Sequence, residues 1–165
     1  MHRHMDDSLN ALKQKLVRMS ALAERMVEEA IRLLVRRDTA LGTAIRATEH
    51  EVNGLQVEID ELCLDTIALF QPAAHDLRFI LGAAKTNADL ARLADQAVNI
   101  MEKAEDLVGE TSLPFLDELQ TMAELARTQL RNSLHAFVNG DVRKARSVLS
   151  RDDEIDAMKT QLTDR

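Results

Sequence analysis

The chain has 165 residues, a formal net charge of −7 and a single cysteine. The acidic balance speaks against nucleic acid, which calls for a basic patch. No apolar run approaches the ~20 residues of a bilayer span and no signal peptide is seen, so no membrane insertion is expected. Cys63 cannot form an internal disulfide and reads as a small core residue in a reducing compartment. With no Trp or Tyr and only four Phe, a pocket for bases, sugars or flat cofactors is disfavoured. Abundant Ala, Leu, Glu and Arg with few Gly and Pro predict an all-α chain.

Helix 1 carries Leu9, Leu12, Leu16, Met19, Ala23, Met26, Ala30 and Leu33. Alternating steps of three and four mark a helix packed lengthwise in a bundle. It ends at Arg36–Arg37, and Asp38 is a good cap for the next helix. Helix 2 carries Leu41, Ile45, Thr48, Val52, Leu55, Ile59, Leu62, Thr66 and Leu69, and Pro72 stops it. Helix 3 starts near Ala73 and shows two seams. One runs from Phe79 through Ala83, Leu90 and Ala97 to Leu107. The other takes Leu77, Leu81, Ala84, Ala88, Ala91, Asp95 and Val98. Helix 4 comes after the linker Val108–Pro114, and Asn139-Gly140-Asp141 is a stop joined to a cap for helix 5.

Shifted by 103 residues, the chain matches itself without a gap: Met19 falls on Met122, Ala23 on Ala126, Asp38 on Asp141 and Glu51 on Glu154. A repeat this long is a duplicated domain, since solenoid units run ~20–50 residues. The expected organisation is a complete three-helix up-down-up bundle over 1–108 and the first two helices of a second, incomplete bundle over 109–165. Leu116, Leu130, Phe137, Val148, Ile155 and Met158 then need cover. They find it by exchange with a second chain in a closed C₂ pair, the favoured outcome, or by folding onto helices 1–3 of the same chain.

Phe70-Gln71-Pro72-Ala73-Ala74-His75-Asp76-Leu77-Arg78, then Asp89, Leu90, Arg92, Asp95, Ala97, Asn99 and Ile100, resembles the corner and third helix of the PhoU family of phosphate-uptake regulators. The resemblance covers essentially the whole chain. It implies a non-enzymatic cytoplasmic adaptor between a phosphate-specific ABC transporter, on its ATPase side, and a sensor histidine kinase. Such an adaptor keeps the phosphate-starvation response off when phosphate is plentiful. A homo-oligomer is expected from the uncovered apolar seams of the second repeat.

Members of the family it resembles can carry Glu/Asp-x-x-x-Asp motifs on helices 2 and 3 of each repeat, and these can hold multinuclear metal clusters, because carboxylates four apart share one helix face. Here the metal candidates for a divalent or iron cluster are Glu49, Asp95, Asp152 and Asp156. The motifs are damaged in the first repeat: Asn53 stands four after Glu49, and Ala91 four before Asp95, with Ala94 and Gln96 at further motif positions. Asp95 interrupts an apolar seam, so a partner such as Arg92 or Arg78 is expected to neutralise it. Pro72, Asp76 and Arg78 are expected to form a structural corner, with Asp76 at the positive end of helix 3 and Arg78 reaching back to an acid such as Asp65. None of the five histidines comes three residues after a Glu, as a ferritin-like di-iron site requires. No catalytic or cofactor-binding residue is expected. A metal-binding bundle and a structural dimerisation module are the competing readings.

Overall fold

The computed structural model of the chain describes residues 2–110 and 114–163, without the side chains of His2, Arg3 and Asp152. Among these residues it is all-α. Helices α1 (His2–Arg36), α2 (Ala40–Phe70) and α3 (Ala74–Asp106) are succeeded by α4 (Leu116–Asn139), α5 (Val142–Leu149) and α6 (Asp152–Thr163). At 1.5 Å per residue the first three are about 46–53 Å long, and they pack on one another along their lengths as an up-down-up bundle.

The core tracks the apolar period of the sequence. On α1, Leu12, Leu16, Met19, Ala23, Met26, Ala30 and Leu33 are all fully buried. On α2 the buried row is Ile45, Thr48, Val52, Leu55, Ile59, Cys63 and Thr66. It leaves the predicted seam at Leu62, where Cys63 faces inward instead. A straight helix has 3.6 residues per turn, so a row of strict 3.5 spacing drifts off the contact line over several turns. Leu69, the last predicted seam position, is 71% exposed.

On α3 the buried row is Ile80, Ala83, Asn87, Leu90, Ala94, Ala97, Met101 and Ala104. The first predicted seam shares Ala83, Leu90, Ala97 and Ala104 with this row, and its other members, Phe79, Thr86, Leu93, Ile100 and Leu107, are half-buried beside it. The second does not pack as a seam: Leu81, Ala88 and Asp95 are exposed, and of its members only Ala91 is buried. A band of alanines and leucines wide enough for two neighbours therefore has one dry edge and one wet edge.

Both connections are short. Arg37 adopts a left-handed conformation (φ 58°), and Asp38 Oδ1 accepts from the Ala40 amide at 3.2 Å, the expected cap. After α4, Gly140 takes φ 64°, which glycine does without strain. Asp141 then caps α5 by accepting from Lys144 N at 3.0 Å. Both match the sequence reading. The expected single helix 5 is instead two helices, broken at Ser150–Arg151. Ser147, Ser150 and Asp152–Asp153 are weak helix formers, and α5 buries no residue that would hold the break closed.

Helix α4 lies on α1 and α3 of its own chain, the second of the two arrangements expected for this segment. Its Arg127 pairs with Glu24 (3.3 Å) and Glu28 (2.6 Å), and its Arg131 with Glu24 (3.3 Å). Residue 127 is the repeat counterpart of 24, and 131 that of 28, so exchanging the repeats turns Glu24–Arg131 into Arg127–Glu28. Helices α1 and α4 thus cross antiparallel about an approximate two-fold axis through this cluster. At the far end Phe137 stacks on Phe79 of α3 (centroids 5.1 Å apart, planes at 13°), over Gly82. A Cβ added at Gly82 would sit 2.8 Å from the Phe137 ring.

Phe137→Ala should therefore loosen α4. Truncating a fully buried Phe costs ~3–5 kcal/mol, and for this half-buried ring about 2 kcal/mol is expected by chemical denaturation. Limited proteolysis should cut the segment after α3 sooner while α1–α3 stay protected, and Gly82→Val should do the same by displacing the ring. Unchanged cleavage in both variants would show that α4 is held by its ion pairs alone.

Candidate functional site

The corner between α2 and α3 is built from Gln71, Pro72 and Ala73. Gln71 ends α2 in a left-handed conformation (φ 47°), its N–H donating to Ile67 O. Pro72 is buried and cannot continue the helix. Ala73 is extended, and α3 begins at Ala74, whose φ of 28° is also positive. Two non-glycine residues of positive φ around one proline make this the most constrained turn among the described residues.

Asp76 sits in the first turn of α3 as expected, but no side-chain cap is made there. Its carboxylate lies 3.6 Å from His75 Nδ1 instead. Arg78 does not reach back to α2. It has no carboxylate partner among the described residues and lines a cavity of about 750 Å³ between α1, α3 and the end of α4. The corner is thus made by backbone and Pro72, while Asp76 and Arg78 project from it.

Among the described residues the acidic side chains of these motifs lie apart. Among the described residues no three His, Cys, Asp or Glu side chains come together as a metal requires. The α2–α3 pairing is pinned by Arg46–Glu102 (3.3 Å) and by Asn87–Asp60 (2.9 Å). This register sets Asn53, not Glu49, at the level of Asp95. The amide at Asn53 and the methyl group at Ala91 remove two carboxylates from that face, so the residues present do not fit a cluster. Asp95 is exposed, which corrects the expectation that it needs a neutralising partner. Arg92 pairs with Asp89 at 3.0 Å. Arg78 is 17 positions away on the same helix, about 25 Å along the axis. Asp156 is exposed, and the side chain of Asp152 lies outside the described residues.

One residue not singled out from the sequence organises this face. Asn87 is fully buried. Its Nδ2 donates to Gln56 O and to Asp60 Oδ1, both at 2.9 Å, and its Oδ1 is buried without a partner. A lone amide in the row Ile80–Ala83–Asn87–Leu90 was the available signal. Nearby, Cys63 Sγ lies 3.8 Å from Ile80 O. Burial, with the Asp60 charge in support, raises its thiol pKa to about 11.

The family model described as the PhoU domain matches residues 16–104 and 119–165, two stretches that begin one repeat period apart. The chain belongs to the PhoU domain family. It is similar to the phosphate-specific transport system accessory protein PhoU homolog of Aquifex aeolicus, with 30% identity covering 93% of this chain and 70% of the relative. The homolog of Rhizobium meliloti is 34% identical, covering 98% and 70%. That of Pseudomonas putida is 32% identical, covering 93% and 62%. The crystal structure of PhoU from Pseudomonas aeruginosa superposes with a TM-score of 0.89 at 30% identity, covering 96% of this chain and 77% of that one. The α1–α4 arrangement is therefore a PhoU arrangement. No helix among the described residues is long and apolar enough to cross a membrane.

In this PhoU-family chain Asn87→Asp should be strongly pH-dependent. A carboxylate there would face the Gln56 carbonyl and the Asp60 charge with no donor between them, so its folded pKa is raised above that of the unfolded chain. The acid form is then favoured by folding, and the variant should lose stability as pH rises through the carboxylate range and recover it on acidification. Urea midpoints across pH 4–8 test this, and a pH-independent difference from wild type would refute it. Cys63 should resist thiol reagents at neutral pH until the chain is unfolded, because the thiolate is the reactive form. Rapid labelling of the native chain would contradict its burial.

Proposed function

We propose that this chain is a regulator of phosphate uptake. It acts as a cytoplasmic adaptor that helps repress the phosphate-starvation response by contacting a phosphate ABC transporter, on its ATPase side, and a sensor histidine kinase. The observation that carries this reading is the PhoU-domain match over both repeats, together with relatives named as accessory proteins of a phosphate-specific transport system. The chemistry of the surface suits an adaptor. The helices present long charged faces, no candidate catalytic constellation stands out among the described residues, and Pro72 fixes the angle between two rods. In this reading 1–108 and 109–165 are the two repeat units, the turn at Pro72 is structural while Asp76 and Arg78 project from it, and copies of the chain associate.

The test is complementation. In a bacterium lacking its own PhoU, the chain should restore repression of a phosphate-starvation reporter in phosphate-rich medium. Retention of the transporter ATPase subunit and of the kinase cytoplasmic region on the immobilised chain should accompany it. A reporter that stays fully on, with the chain present at normal level and folded, would sink the proposal. The metal reading has its own outcome: after incubation with iron, zinc or manganese and desalting, elemental analysis should find no stoichiometric metal, and a retained cluster would revive it.

A further inference from the structure

The cavity beside the corner joins an apolar floor to a charged wall. Its floor is apolar: Leu9 of α1, Phe79 of α3, and Phe137 and Val138 of α4 line it. Two of the chain's four phenylalanines are stacked beneath it. Two permanent cations stand at its wall. Lys13 Nζ lies 5.4 Å from the Phe79 ring centroid, and Arg78 projects from the first turns of α3. Neither has a carboxylate partner among the described residues. Lys15, Arg18, Arg25, Arg46, Arg127 and Arg131 are paired, while Arg32 and Lys85, like Lys13 and Arg78, have no carboxylate partner among the described residues. What sets Lys13 and Arg78 apart is the apolar cavity they line together. The anionic group in the cleft is Asp76, and it faces His75, which is itself almost wholly exposed.

We propose that this cleft is the docking site for an acidic segment of a partner protein, one that places an apolar side chain on the Phe79–Phe137 floor and carboxylates on Lys13 and Arg78. This rests on the adaptor reading and specifies the chemistry of one of its contacts. Charge decides the occupant. The chain is acidic overall, with a net charge of −7, so its long-range field opposes an acidic partner. A Lys and an Arg that line one cavity with an apolar floor supply the local attraction that offsets it. Arg adds a planar fork suited to a carboxylate. The about 750 Å³ volume takes one or two side chains of a docked segment, in the anchor-plus-charged-rim manner of a peptide groove. The strained Gln71–Ala74 corner holds Arg78 at the mouth, so its position is set by backbone rather than by an ion pair that binding must first break.

The test uses the full chain and a displayed random peptide library. Selected binders should be enriched in Asp and Glu next to Leu, Ile or Phe. The double variant Lys13→Glu/Arg78→Glu should weaken them at least about tenfold, the scale expected when rim charges are reversed. High salt should weaken them too. Binding should protect the first turns of α3 and the last turn of α4 from hydrogen exchange. Because both positions are at the surface, the variant should melt like the wild type; if it does not, Lys13→Gln/Arg78→Gln with the same readout replaces it. The idea fails if the selected peptides are not acidic, if they bind the charge-reversed chain equally well, if none is enriched, or if inorganic phosphate alone gives the same protection, which would make this a small-anion site. These outcomes are separable from failure of the adaptor reading. The library measures the cleft in vitro, whereas the reporter measures regulation, so repression that survives in the Lys13→Glu/Arg78→Glu chain would leave the adaptor standing and remove the cleft from it.

Discussion

Every other helix in this structure depends, directly or through α4, on the two-sided character of α1. One side is a dry apolar row from Leu12 to Leu33 against which α2 and α3 close. Beside that row run the carboxylates Glu24 and Glu28, with Glu24 held nearly out of water by Arg127 and Arg131. Burying a charge is costly unless it is paired. Here the pairing is mutual, and it ties α4 to the bundle at the point where the two repeats cross. The apolar face builds the three-helix unit, and the charged face attaches the second repeat.

The attachment has two parts with different physics. The Glu24–Arg127 cluster is directional and partly screened; it sets register, because only one antiparallel alignment pairs both 24 with 131 and 28 with 127. The Phe79–Phe137 stack contributes apolar burial, and it depends on Gly82 having no side chain. Aligning a helix by charge and then seating it by one aromatic ring leaves a gap between α1, α3 and the end of α4. That gap is the cleft that carries Lys13 and Arg78. The corner at Pro72 decides which way the first turn of α3 faces it.

Much of the fold is legible from residue pattern. The α1 seam, the proline stop, the Asp38 and Asp141 caps and the Gly140 stop are local consequences of backbone chemistry and appear in the structure where the sequence places them. The candidate site is less so. Asp95 looks buried when α3 is read as two seams, yet α1 and α2 close on the Ile80–Ala104 row, and Asp95 lies on the edge left wet. Arg78 looks like a partner for α2, but the corner turns it toward α1 and α4. Asn87 does not stand out in the sequence, yet it cross-links α3 to Gln56 and Asp60 of α2.

The sequence by itself determined what is periodic or local: an all-helical chain, the lengths of its rods, their turns, the repeat and, through the residues of the corner and third helix, the PhoU resemblance that the family match bears out. It also showed that the acidic motifs had lost members at Asn53 and Ala91. Tertiary structure decided what depends on which surfaces meet. Whether α4 docks at home, which edge of α3 is dry, where helix 5 breaks and which cations stay unpaired are settled by contacts between residues far apart in the chain. Apolar periodicity gives a helix a face to bury. It does not specify the neighbour that will cover that face, because burial is non-directional and any apolar surface of the right shape satisfies it.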